Sequence, residues 1–241
     1  MNGSTLKRRS GLAEVRVFPR LRSTNSKAAE LVRQDEVTLP AAVIASRQSA
    51  GRGRGSNVWY SDAGSLTVTF VMPARHDRPA TEVSLRAGLA VFDAISTWVS
   101  DDELKVKWPN DVLIGGKKVA GILCERVRAA DVIGIGLNVT TDLSAAPNDV
   151  CRRGISLANY SAGVVTREDV FVALAIAMRG LWDSDDWLPR LRRYHFLTGR
   201  QVTIDVGNQC LYGQCRGIDD TGRLLIDDGR QLHAISSGHV I

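Results

Sequence analysis

The middle of the chain restricts the fold most. Val112 to Ile114, then Gly115-Gly116, then Lys117 to Glu125 read as two strands joined by a Gly-Gly turn. Such a two-residue loop needs positive φ, which glycine adopts without steric cost, and it commits its flanks to antiparallel pairing. Leu104 to Trp108 precedes it as a strand-like run stopped by Pro109. Val132 to Val139 follows as a further strand and contains Gly134 and Gly136, where missing side chains mark close backbone approach. Connections this short argue against a doubly wound sheet and predict an α+β body with a mixed, largely antiparallel sheet and flanking helices.

The rest of the chain fits that frame. Glu14 to Phe18 alternates as a short strand, and Ser23-Thr24-Asn25 supplies cap-type side chains for a helix through Val32. Ala41 to Ala45 and Leu66 to Met72 are apolar strands, and Ser49 to Asp62 between them is a long, mobile loop. Thr81 to Val99 has helical spacing with Thr81 as its cap, Asp142 to Asp149 is a loop, and Arg167 to Trp182 and Trp187 to Tyr194 are helices. After Gly199 the texture changes to five short alternating strands, Gln201–Val206, Gln209–Ile218, Arg223–Ile226, Gln231–Ile235 and His239–Ile241. Residues 1–195 are therefore expected to form the main domain and 196–241 a small β-barrel.

Composition excludes several classes. The 241 residues are 44% hydrophobic and 24% charged, an ordinary globular balance. No apolar run approaches the roughly 20 residues of a membrane span. No apolar stretch follows Lys7-Arg8-Arg9, so the chain is expected to be cytoplasmic. Cys124, Cys151, Cys210 and Cys215 form no C-x-x-C pair, and zinc or disulfides are not expected. The formal charge of +5 favours anionic partners without selecting one.

Four stretches carry the chemistry. Gly51-Arg52-Gly53-Arg54-Gly55 interleaves residues that let backbone N–H groups approach an anion with guanidinium forks that match carboxylate or phosphate. A solvated basic loop or an RNA-binding tract would look similar. In Lys107-Trp108-Pro109-Asn110-Asp111 the proline restrains the strand end, so Asn110 and Asp111 project from a rigid place and can hold ribose, base or Mg²⁺, or simply form a turn. Lys117 and Lys118 open the outgoing hairpin strand, and alternation lets only one of them face a site. Gly134-Ile135-Gly136-Leu137-Asn138 lacks the third glycine of a dinucleotide fingerprint, and there is no Walker A, G-x-S-x-G or H-E-x-x-H motif.

Taken in order, these pieces resemble the biotin–protein ligases, also called biotin–[acetyl-CoA-carboxylase] ligases. The resemblance rests on Ser23-Thr24-Asn25, Gln48-x-x-Gly51-Arg52-Gly53-Arg54 with Trp59, Lys107 to Asp111, Lys118-x-x-Gly121-Ile122-Leu123-x-Glu125 and Gly134-x-Gly136-x-Asn138, with Arg216-Gly217-Ile218-Asp219 and Gly222 in the tail. It implies a class II synthetase-like catalytic domain followed by an SH3-like C-terminal domain. It also implies the substrates biotin and ATP with Mg²⁺, a biotinyl-5′-AMP intermediate, and transfer to a lysine of a biotin carboxyl carrier domain. Only about 14 residues precede the first strand, so a form without a DNA-binding domain is expected, and a homodimer is left open.

The same resemblance implies residue roles. Ser23, Thr24, Asn25 and Gln48 would grip the biotin ureido ring, and Gly51, Arg52, Gly53 and Arg54 would close over the biotin carboxylate and the phosphates. Lys118 and Arg52 would be catalytic, Lys118 bridging carboxylate and α-phosphate. Arg54, Trp59, Asn110, Asp111, Lys118 and Asn138 would bind ATP, and Asp111 is the candidate Mg²⁺ ligand. Trp59 is either an adenine-stacking wall or an anchor of its loop. Two departures stand out: Gly55, Ser56 and Asn57 replace a stretch that carries two more arginines in the family's fullest motif, and no basic tail follows Ile241. Weaker retention of the adenylate is the expected consequence. Lipoate or octanoate ligases and transferases are the nearest rival, and a non-catalytic RNA-binding module is the rival of another class.

Overall fold

The computed structural model describes residues 1–75, 77–161, 163–207 and 209–241. In chain order the elements are α1 (Gly3–Ser10), β1 (Glu14–Phe18), α2 (Thr24–Arg33), β2 (Ala41–Ala45), β3 (Ser65–Pro73), α3 (Ala80–Ile95), β4 (Leu104–Lys107), β5 (Asp111–Ile114), β6 (Lys117–Val127) and β7 (Ala130–Asn138). There follow α4 (Asn148–Arg153), α5 (Arg167–Trp182), α6 (Trp187–Tyr194), β8 (Gln201–Asp205), β9 (Cys210–Ile218), β10 (Leu224–Asp227), β11 (Leu232–Ile235) and β12 (His239–Val240). Among the described residues no helix is long and apolar enough to cross a membrane.

Seven strands form one sheet in the order β1-β2-β3-β7-β6-β5-β4. Only β1 and β2, linked through α2, pair in parallel; every other neighbour is antiparallel. The Gly-Gly hairpin forms as expected, with φ of 55° at Gly115 and 79° at Gly116.

Period-two alternation assigns the two faces of this sheet. Ala42 and Ile44 of β2, Leu66, Val68, Phe70 and Met72 of β3, Ile133, Ile135 and Leu137 of β7, and Ala120 and Ile122 of β6 join the large core cluster with α3 and α5. Phe70 stacks on Phe171 with ring centroids 6.1 Å apart. Ala41, Val43, Val71 and Val132 pack instead with Ala28, Leu31 and Val32 of α2. The remainder of that second face is left for polar residues and glycine, and the cavity lies there.

Several local expectations need correction. The segment before β1 is the helix α1, started by the Asn2 side chain accepting from Thr5 N at 3.1 Å and ended at Gly11 with φ 67°. Its mean composition is polar, and only Leu6 and Ser10 are buried, so no apolar stripe announced it. Thr81 does not cap α3; Pro79 is the N-cap and makes no side-chain hydrogen bond. The loop expected over Asp142 to Asp149 gives way at Asn148 to α4, a helix of six residues and under two turns, too short to show periodicity. Ser23 does cap α2, its Oγ accepting from Ser26 N at 3.5 Å.

The second sheet, in the order β11-β10-β9-β8-β12, is antiparallel throughout. Its inward residues Val202, Ile204, Cys215, Ile218, Leu224 and Ile226 belong to the same core cluster as the large sheet. Trp108 is fully buried at that seam, and its Nε1–H donates to Gly222 O at 3.2 Å. His195 lies beside it, with Phe196 N bonded to Val106 O at 2.9 Å. Its Nδ1 faces Thr198 Oγ1 at 2.9 Å, and its buried Nε2 has no partner among the described residues.

Burial pushes the His195 imidazolium down to a pKa of about 4. The unfolded chain takes up this proton near pH 6.5, whereas the folded chain refuses it until about pH 4. The stability this histidine contributes is thus complete above pH 6.5 and is lost as the pH falls to about 4, roughly 3 kcal/mol in all. Urea unfolding at pH 7, 5.5 and 4.5 should show a steeper loss for the native chain than for His195→Gln; parallel slopes would contradict this assignment.

Candidate active site

A cavity of about 540 Å³ opens on the polar face of the large sheet. Its floor is made of three glycines on neighbouring strands. Gly121 of β6 is paired with Gly136 of β7, and Leu123 with Gly134. A Cβ on Gly134 would overlap Asn25 Oδ1, and one on Gly136 would overlap the Trp59 indole. A Cβ on Gly121 would lie 3.0 Å from the Lys118 side chain and 3.1 Å from the Trp59 ring. The glycines let a polar side chain and an aromatic plane come down onto the sheet itself.

One end of the cavity is a closed hydrogen-bond network. Thr69, pointing up from β3, donates to Asn25 Oδ1 at 2.7 Å, and its Oγ1 lies 2.8 Å from Thr24 Oγ1. Gln48 Oε1 accepts from Thr24 N at 2.7 Å and from Thr24 Oγ1 at 3.1 Å. The Asn25 amide donates to Leu123 O and to Glu125. Ser23, Thr24 and Asn25 are all buried, so this end is preorganised polar surface rather than solvated loop.

The glycine–arginine loop forms one wall. Gly53 N bonds Asn57 O at 2.8 Å and Trp59 N bonds Gly51 O at 3.0 Å, folding the segment back on itself. Arg52 forms an ion pair with Glu125 at 2.8 Å, and Arg54 donates to Gly238 O at 3.2 Å, reaching across to the second sheet. Gly51 is the one expected site residue that does not border the cavity. It is packed under the loop, where a Cβ would meet Trp59 O at 2.5 Å.

Lys118 enters from the opposite strand edge because of a register fault. Asp111 pairs with Gly121 and Val112 with Ala120, but Leu113 pairs with Lys118. One extra residue in β6 makes this a bulge, which brings Lys118 onto the face of Gly121 instead of the face of Ala120 and Ile122. Its Nζ is 2.5 Å from Asp111 Oδ1, in contact but without hydrogen-bond alignment, and 5.7 Å from the Trp59 ring centre. Lys117 borders the cavity too, from its exposed rim.

Burial depresses the Lys107 ammonium below its ordinary pKa; Asp111 opposes this, and Lys118 and Arg153 add to it. Cys124, packed against the core and outside the cavity lining, is pushed up to about 12 by burial, so it is an inert thiol.

Asn110 and Asn138 line the cavity, but their amides are committed to backbone, donating to Ile122 O at 2.8 Å and Ile155 O at 3.1 Å. Among the described residues no group of three His, Cys, Asp or Glu side chains could hold a metal ion. Asp111 offers a single carboxylate, which fits Mg²⁺ carried mainly by a ligand's phosphates.

Sequence reasoning missed the lining from α4 (Val150, Arg152, Arg153), and Phe196, His239 and Val240 from the second sheet and its approach. No local signal marks them; the fold alone brings them over. Seven of the described lining residues are Lys or Arg and two are Asp, a formal excess as large as that of the whole chain. The site is a polyanion receptacle with a polar slot at one end.

The chain matches the biotin/lipoate A/B protein ligase family over residues 17–142 and the biotin protein ligase C terminal domain over residues 197–241, and it belongs to that family. It is 34% identical to the biotin–[acetyl-CoA-carboxylase] ligase of Mycobacterium tuberculosis, over 96% of this chain and 90% of the relative. It is 31% identical to the bifunctional ligase/repressor BirA of Bacillus subtilis, over 91% of this chain and 71% of that one. The same fold occurs in the biotin protein ligase from Aquifex aeolicus in complex with biotin and ATP, with a TM-score of 0.82, 24% identity, and 95% and 98% of the two chains covered.

The glycine floor generates a stability test. Gly134→Ala and Gly136→Ala should each cost about 1–3 kcal/mol by overpacking. Gly180→Ala, mid-helix in α5 with open space around its Cβ position, should stabilise by about 0.5–1 kcal/mol. Denaturant unfolding of the three variants checks both signs.

Proposed function

We propose that this chain is an ATP-dependent biotin–protein ligase. The biotin carboxylate oxygen attacks the α-phosphorus of ATP and expels pyrophosphate, giving biotinyl-5′-AMP. The neutral amine of a carrier lysine then attacks the acyl carbon, AMP leaves, and the nitrogen gives up its extra proton. The carrier is the biotin carboxyl carrier domain of a carboxylase.

The observation that carries this reading is the convergence of Arg52, Arg54 and Lys118 on one cavity whose far end is a fixed polar slot. A carboxylate and a triphosphate repel each other, and preorganised cations lower that barrier. Lys118 is to neutralise the pentavalent phosphorus, released from Asp111 toward the substrate. Arg52 is to hold the carboxylate and the mixed anhydride, exchanging Glu125 for them. Ser23, Thr24, Asn25 and Gln48 are to bind the ureido ring, whose N–H and C=O groups need acceptors and donors at set positions. Trp59 is to cover the ligand chain, and Asn110, Asp111 and Asn138 the nucleotide side. Mg²⁺ would arrive on the phosphates, screen their charge and gain Asp111. The rival acyl group, lipoate, has a dithiolane with no donors, and it would offer the polar end nothing to exchange for the internal hydrogen bonds of Thr24, Asn25 and Gln48.

Biotin-dependent ATP–pyrophosphate exchange tests the reading directly, with lipoate as the control acid. Exchange with biotin alone is expected; exchange with lipoate alone would assign the chain to the other branch. Lys118→Ala should reduce exchange by 10²-fold or more with an unchanged unfolding curve, on the order of an oxyanion donor's contribution. Arg52→Ala should release biotinyl-AMP into solution and label unrelated amines, read by blotting with streptavidin.

A further inference from the structure

We propose that Arg152 and Arg153 of α4 form the binding site for the β- and γ-phosphates of the nucleotide and for the pyrophosphate they become. This rests on the adenylating reading above and assigns the end of the cavity that the loop does not serve.

Three of the other five lining cations are already engaged by the protein; Lys107 and Lys117, both ammoniums, form no ion pair or side-chain hydrogen bond among the described residues. Arg52 is held by Glu125, Arg54 by Gly238 O and Lys118 by Asp111. Arg152 and Arg153 both border the cavity and are exposed, and among the described residues neither forms an ion pair or a side-chain hydrogen bond. Asp149 shares the rim and is paired with neither.

Their position is fixed by backbone. Gly154, next after Arg153, bridges to Lys118 in parallel register, and Ile155 N donates to Lys118 O at 2.9 Å. Ile155 O in turn accepts from the buried Asn138. The end of α4 is thereby tied to the backbone of the lysine assigned to the α-phosphate, on the rim where the rest of the phosphate chain would run. Arg153 and Lys107 border the same cavity. Two guanidiniums present paired donors to non-bridging oxygens in a way that two ammoniums do not.

Loop residues Gly55, Ser56 and Asn57 bring no cation to this region, although Asn57 lines the cavity. A chain with only Arg52 and Arg54 in its loop can still hold a triphosphate if the opposite rim supplies the remaining charge.

Calorimetric titration of the full chain with ATP and with AMP tests the assignment. In Arg152→Ala/Arg153→Ala the Kd for ATP should rise about tenfold or more while that for AMP stays within about twofold, with an unchanged unfolding curve. Adding Asn57→Arg to that double variant should recover part of the ATP affinity by restoring a guanidinium from the facing wall. Unchanged ATP binding, or equal losses for ATP and AMP, overturns the proposal. Exchange by the unaltered chain is read separately. If it is absent while the variants still discriminate ATP from AMP, the ligase reading falls and the phosphate site stands.

Discussion

Everything at the site depends on three missing side chains. Gly121, Gly134 and Gly136 stand side by side on two paired strands, and their bare backbone is what Asn25 and Trp59 rest on. Thr67 and Thr69 flank them on the next strand, Thr67 donating to Ala45 O of β2 and Thr69 bonding into α2 above. On the opposite face the same strands carry Ile, Leu and Val and close against α3 and α5. The sheet therefore has a packed side that supplies stability and a stripped side that supplies volume, and the stripped side costs strand stability that the core must offset.

Charge is the second organising element. The lining concentrates Lys and Arg, and the structure holds three of the seven in waiting on internal partners: Asp111 for Lys118, Glu125 for Arg52, a carbonyl for Arg54. These contacts lie at partly exposed positions, so each is weak in water and easily exchanged for a phosphate or carboxylate. The bulge in β6 belongs to the same arrangement, since without it Lys118 would point into the apolar core among Ala120 and Ile122.

The small second sheet shares its core with the large one. One core cluster runs through both, Trp108 hydrogen-bonds across the seam, and His239 and Val240 complete the cavity wall. The loop arginine Arg54 reaches to Gly238 over the same gap. The terminal strands thus take part in the site, which explains why a module with no chemical motif of its own accompanies the catalytic body.

Much of this was legible in the sequence. Glycine pairs, period-two alternation and cap residues act over a few positions, and they located the hairpin, the core strands, α2, α5 and α6 and the five terminal strands to within about two residues. Residue chemistry likewise pointed to Arg52, Arg54, Asp111 and one of Lys117 and Lys118, with the resemblance choosing Lys118, because guanidinium forks and a strand-rooted ammonium suit anions, and a carboxylate at a rigid strand end suits a cation, wherever the fold puts them. Tertiary structure alone decided the rest. It turned Lys118 to the site through a bulge that depends on the partner strand, and it removed Gly51 from the cavity. It also brought α4 and the last strand, distant in sequence, onto the rim. Local patterns state what a segment can be; which segments meet is set by long-range pairing and packing, and no single stretch of sequence contains it.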